Sequence, residues 1–130
     1  MISQEVVEQI RGFARTDGRI AAVYVFGSSV TGKDRSGSDI DIAVMVREAL
    51  DGFERVRLET ALSNMLGRDV DFVVFGLATP LLQHQILKYG RLVYEADPKE
   101  RVRQEVAARS QYLDTRHLYR ILEKDSAHGG

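Results

Sequence analysis

Cysteine and tryptophan are absent from the 130 residues, and proline occurs only twice. Without cysteine there is no disulfide scaffold, no Cys-ligated zinc and no thiol catalysis. An excess of one charge sign is missing as well. Lys and Arg number 18 against 19 Asp and Glu, a formal net charge of −1. Nucleic-acid-binding domains normally carry a basic excess, so this balance argues against a nucleic-acid partner. No apolar run approaches the ~18 residues of a membrane span, and the start Met1-Ile2-Ser3-Gln4-Glu5 carries no basic-then-apolar signal segment. These absences predict a cytoplasmic protein with no membrane partner. What is present is ordinary globular material, 44% hydrophobic and 28% charged. It suffices for a single domain over residues 1–130 that buries its own core.

The periodicity along the chain alternates between helix and strand. Val6, Val7, Ile10 and Phe13 recur at three and four residues and predict a helix over 4–17, with Ser3 as N-cap. Ile20 to Phe26 is a β-branched and aromatic run, a strand buried on both faces. Residues 27–38 hold three glycines and four serines and predict a loop with room for one helical turn. Asp39 to Val46 alternates as a second strand. Phe53, Val56, Leu58, Leu62, Met65 and Leu66 predict a helix over 52–66, stopped by Gly67. Val70 to Phe75 is a third strand. Thr79-Pro80 opens a helix ending near Gly90, Leu92 to Tyr94 is a short edge strand, and Asp97-Pro98 opens a long C-terminal helix over 97–124. Residues 125–130 form a frayed tail. The fold class is α/β (α+β): a small sheet containing antiparallel strands, flanked by helices, with a core over 3–95.

The chemistry concentrates after the first strand. Gly27-Ser28-Ser29-Val30-Thr31-Gly32-Lys33-Asp34 nearly matches a phosphate-binding P-loop. Two points reject that reading. Asp34 stands where the magnesium-binding hydroxyl belongs, and strand pattern resumes at Asp39 with no helix between. A parallel crossover needs a dozen or more residues, usually with a helix, so the first two strands are antiparallel neighbours. On a strand, residues two apart share a face. Asp39 and Asp41 therefore project together while Ile40 and Ile42 point into the core, and Asp69 and Asp71 share a face of the third strand. A lone Asp-x-Asp is commonly a solvated strand end, and Gly-Ser-Ser a plain turn. Two carboxylates on one face repel, however, and a structural role gives no reason to set them beside a glycine loop. His84, His117 and His128 show no ligand spacing and read as surface residues. Tyr24 reads as core, and Tyr89 and Tyr94 as packing residues near the cleft.

Gly27-Ser28, ten further residues, then Asp39-Ile40-Asp41 and a later Asp71 form a pattern that resembles the DNA polymerase beta nucleotidyltransferase superfamily. The stretch from Thr79-Pro80 through Tyr89-Gly90-Arg91-Leu92-Val93-Tyr94-Glu95 is similar to the end of minimal nucleotidyltransferase (MNT) domains. The likeness spans about residues 5–95. It implies a nucleotidyltransferase fold and transfer of AMP from ATP with two Mg2+ ions. Such ions stand ~3.5–4 Å apart to clamp attacking and leaving oxygens, and they require oxygen ligands. In that scheme Asp39, Asp41 and Asp71 are catalytic and metal-binding, and Asp71 also accepts the proton of the attacking hydroxyl. Asp69 is a turn residue that could substitute for Asp71. Gly27, Ser28, Ser29 and Lys33 would bind the nucleoside triphosphate. One departure stands out: many members carry Arg soon after Gly-Ser, where this chain has Ser29 and Thr31, leaving less positive charge beside the phosphates.

The short length removes members with their own RNA-, DNA- or antibiotic-recognition domains. The resemblance then implies the MNT antitoxin of a HEPN/MNT toxin–antitoxin pair, transferring AMP to a tyrosine of a HEPN-domain toxin. Two alternatives stand beside it. One is a binding module that silences its partner by docking alone. The other is a nucleotidyltransferase for a small hydroxylated molecule such as an aminoglycoside. The last helix carries Val102, Val106, Leu113, Leu118, Tyr119, Ile121 and Leu122, a surplus of apolar surface that suits a partner or a homo-oligomer as well as packing across the domain.

Overall fold

The computed structural model describes residues 2–27 and 39–128, with side chains as far as Lys124. In chain order the elements are α1 (Gln4–Arg15), β1 (Ile20–Phe26), β2 (Ile40–Val46), α2 (Gly52–Leu66), β3 (Val70–Val74), a 3₁₀ turn (Phe75–Leu77), α3 (Pro80–Tyr89), β4 (Arg91–Glu95) and α4 (Pro98–His128). The four strands form one mixed sheet in the order β3-β2-β1-β4. β1 is antiparallel to β2 and β4, and β2 is parallel to β3, with α2 as the crossover. The antiparallel β1–β2 pairing removes the P-loop reading on structural grounds.

The helices begin and end where side chains satisfy free backbone groups. Ser3 Oγ accepts from the Val6 N–H at 3.2 Å, and Thr79 Oγ1 from the Leu82 N–H at 3.2 Å. Asp97 Oδ1 accepts from the Glu100 N–H at 3.1 Å ahead of Pro98. Gly67 closes α2 in the left-handed region at φ 66, a conformation glycine adopts without a Cβ penalty. The start of α2 is a reciprocal box between Asp51 and Glu54, a signal the hydrophobic periodicity does not carry.

The sheet has a core on each face. One face packs Val7, Ile10 and Ala14 of α1 and Leu62 of α2 against Ile40, Ile42, Val44 and Phe72. The other packs Ile86 of α3 and Ala108 of α4 against Tyr24, Ala43, Met45 and Phe75. This double cover explains the continuous burial of β1. α4 is tied down by polar contacts along its first half. Tyr24 Oη donates to Glu105 Oε1 at 2.5 Å, Arg101 pairs with Glu105 and Glu95, and Gln104 Nε2 donates to the Val46 carbonyl at 3.1 Å.

Several expectations are corrected. α2 covers the expected residues 52–66 but buries its apolar set unevenly: Leu62 is fully buried and Leu58 and Leu66 pack on the core, whereas Phe53, Val56 and Met65 are exposed. The buried three recur every four residues, so α2 touches the sheet along one stripe only. β3 stops at Val74 because Phe75 turns into the 3₁₀ segment and into the second core. α1 ends at Arg15 instead of residue 17, and α4 continues to His128, since no Gly or Pro interrupts residues 99–128. His84 is not a free surface residue; its ring stacks on Tyr112 at 3.8 Å between centroids, 7° from parallel. His117 and Tyr89 are exposed, and Tyr94 packs at the core edge.

Candidate active site

The acidic residues meet because of the β2–β3 register. Asp41 lies directly opposite Asp71, and Ile40 and Ile42 lie opposite Val70 and Phe72. Parallel neighbours in register share a face, and adjacent strands stand about 4.8 Å apart. Both Ile residues are fully buried on the α1 side, which sends Asp41 and Asp71 to the other face. Asp39 immediately precedes β2 and is exposed, Asp71 is exposed, and Asp41 is half-buried. Asp69 is not opposite Asp41. Its carbonyl accepts from the Ile40 N–H at 3.0 Å, so its backbone starts the β2–β3 ladder.

Asp41 feels both of the other carboxylates. The Asp41 carboxyl is pushed above the ordinary carboxylate range, first by burial, then by the charge of Asp71, then by that of Asp39. Each cause penalises a negative charge at Asp41 and rewards a nearby cation. Among the described residues, no three of Asp, Glu and His already form a group that could hold a metal ion. The donor set itself, carboxylate oxygens on one sheet edge, is the kind a hard divalent cation takes.

Gly27 ends β1 beside this pair, since Phe26 is opposite Asp41 in the β1–β2 register. Its φ is 75, in the left-handed region, and a Cβ built there would overlap Asp41 Oδ2. The sequence offers a reason for glycine in the approach of phosphates; the structure adds another, the space occupied by the Asp41 carboxylate. Ser28, Ser29 and Lys33 lie outside the described residues, as does the helical turn expected within 28–38. The 330 Å³ cavity lined by Val46, Leu50, Val74, Leu77, Gln83 and Ala107 opens at the other end of β2 and β3 and has no carboxylate in its walls. It is therefore not the place where the acidic chemistry gathers. No described helix is long and apolar enough to cross a membrane.

Comparison with known proteins agrees with this geometry. Residues 8–99 match the profile described as "Polymerase beta, Nucleotidyltransferase". Over 76 residues the chain is 34% identical to the protein adenylyltransferase MntA of Shewanella oneidensis, an alignment covering 58% of this chain and 55% of that protein. The chain thus spans about half the length of that curated relative. Among solved structures, one chain of a toxin–antitoxin with AMP-PNP superimposes with a TM-score of 0.80 at 26% identity, covering 93% of this chain and 98% of that one. A chain of the MntA–HepT toxin–antitoxin superimposes with a TM-score of 0.76 at 25% identity, covering 96% and 99%.

Proposed function

Because the chain belongs to the polymerase beta nucleotidyltransferase family, we propose that it transfers AMP from ATP to a hydroxyl of a protein partner, a tyrosine of a HEPN-type toxin. The observation that carries this reading is the opposition of Asp41 and Asp71 next to Asp39, with the Asp41 carboxyl raised by its neighbours. That cluster is unfavourable for folding by itself and becomes favourable once cations sit against it. The relatives support this acceptor class. A protein adenylyltransferase shares a third of the aligned residues, and toxin–antitoxin complexes share the architecture over nearly the whole chain.

Each residue then has a task. Asp39 and Asp41 would hold two Mg2+ ions, and Asp71 would share one of them. Bound there, the ions would neutralise charge on the α-phosphate and on departing pyrophosphate. Asp71, which lies opposite Asp41 and is exposed, would accept the proton of the incoming hydroxyl. Gly27 keeps the Asp41 carboxylate in position by leaving it room. Ser28 and Ser29 would hydrogen-bond the β- and γ-phosphates, and Lys33 would draw the triphosphate in.

The test is labelling. With α-labelled ATP, Mg2+ and the HEPN-type partner, label should enter the partner and should be lost with Asp39→Ala/Asp41→Ala. Silencing of the partner that persists in this double variant would show that docking alone suffices. Label found only on a small hydroxylated acceptor would replace the protein acceptor with a small-molecule one.

A further inference from the structure

β3 stands at the edge of the sheet, with β2 on one side only. An edge strand presents outward backbone groups that have no partner in the sheet. In β3, side chains of α2 take two of them. The Val70 N–H donates to Ser63 Oγ at 3.0 Å, and the Phe72 N–H donates to Glu59 Oε2 at 3.0 Å. Glu59 and Ser63 are both half-buried. The Ser63 carbonyl also accepts from the Gly67 N–H at 2.9 Å, so one residue closes the helix and holds the strand beside it. Arg55, one turn before Glu59, pairs with the same carboxylate at 3.5 Å.

The two contacts fit each other in spacing. Residues four apart on a helix share a face and rise by about 6 Å. Backbone groups two residues apart on a strand point to the same side, about 6.6 Å apart. Glu59, earlier in α2, meets Phe72, later in β3, so the two elements run in opposite senses. The step from Glu59 to Ser63 therefore matches the step from Phe72 back to Val70. Asp71 lies between the two clasped positions. On its inner side it is in register with Asp41 of β2. Like charges on adjacent strands push β3 away from β2, and the contacts from α2 oppose that movement. Glu59 is not a further member of the acidic cluster. The charges that raise the Asp41 carboxyl are those of Asp71 and Asp39, and Glu59 is engaged by Phe72 and Arg55.

We infer that Glu59, together with Ser63, is a positioning residue, holding the β3 backbone on either side of Asp71 so that this carboxylate stays opposite Asp41 against their repulsion. This rests on the acidic-edge reading above. The test compares Glu59→Ala, Glu59→Gln and Leu58→Ala in the full chain, at a temperature where all are folded. Leu58 packs on the core and has no polar group to offer the strand. Binding of Mn2+ alone is followed by its electron paramagnetic resonance signal, and initial rates of label transfer to the HEPN-type partner are measured beside it. Glu59→Ala should weaken Mn2+ binding and lower kcat by about tenfold or more, with the KM for partner unchanged. Glu59→Gln keeps an acceptor for the Phe72 N–H without the charge, and should restore both. Leu58→Ala should melt at least as early as Glu59→Ala, yet bind Mn2+ and transfer label like wild type. Wild-type values in Glu59→Ala would overturn the inference. So would losses that simply follow the melting temperature in both alanine variants, or a Glu59→Gln variant that recovers neither quantity. If Mn2+ binding by the wild-type chain is untouched by Asp41→Asn/Asp71→Asn, the acidic-edge reading fails first, and the inference fails with it.

Discussion

Replacing Gly27 with alanine separates the chemistry from the fold more sharply than removing a carboxylate would. The backbone at Gly27 has φ 75, and an L-residue in the left-handed region costs about 1–2 kcal/mol. For a domain of this size that is a fall in Tm of roughly 3–10 °C. The second effect is local. The new Cβ would overlap Asp41 Oδ2, so the carboxylate must rotate away from its place opposite Asp71. A displacement of about 1 Å at reacting groups can cost on the order of a hundredfold in rate. Gly27→Ala should therefore stay folded at 25 °C, melt a few degrees early, and lose at least about a hundredfold in AMP transfer. Initial rates of label transfer and a thermal melt on the same sample measure both. Gly12→Ala is the internal control. Gly12 is exposed within α1, with open space where a Cβ would stand, so alanine should add about 1 kcal/mol and leave the rate alone. Full transfer activity in Gly27→Ala, with an unchanged melt, would refute the argument that this glycine makes room for Asp41.

Two further outcomes follow from the electrostatics. Asp41 has its carboxyl raised in the fold, so its contribution favours folding below the ordinary carboxylate value, about 4, and is lost as pH rises through the raised value. In chelator-containing buffer, Asp41→Asn should be more stable than wild type at pH 7 and should lack this loss, while transferring no AMP; a wild-type advantage at pH 7 without metal would contradict it. Tyr24→Phe removes a 2.5 Å hydrogen bond from a buried ring to the Glu105 carboxylate. Glu105 keeps Arg101, so the cost should be about 1–2 kcal/mol, read as a drop of roughly 3–10 °C in Tm.

The parts of the fold that were legible from the sequence are those set by local rules. Ser3, Thr79 and Asp97 mark helix starts because a side-chain oxygen reaches a backbone N–H three residues on. The antiparallel β1–β2 pairing followed from the lack of helix-length pattern between Phe26 and Asp39. The turn of Asp41 away from the buried Ile40 and Ile42 followed from strand alternation. What escaped depends on neighbours distant in sequence. Phe53, Val56 and Met65 are as apolar as Leu62, and only the line of contact with the sheet decides that Leu62 is buried. His84 carries no spacing signal because its partner, Tyr112, lies on another helix. That Asp71 and not Asp69 faces Asp41 is a matter of register, which two residues of slippage would reverse.

The parallel pairing of β2 with β3 has a kinetic consequence. Asp41 and Asp71 are thirty residues apart, joined through the α2 crossover. Parallel pairing across such a loop pays its closure entropy before any contact rewards it, whereas helices form locally and early. The pairing also presses two like charges together, which adds to the barrier. During refolding, helical content should therefore return before the acidic edge exists. Recovery of AMP transfer would then time the closing of β2 on β3, and a partly folded chain, however helical, would be silent.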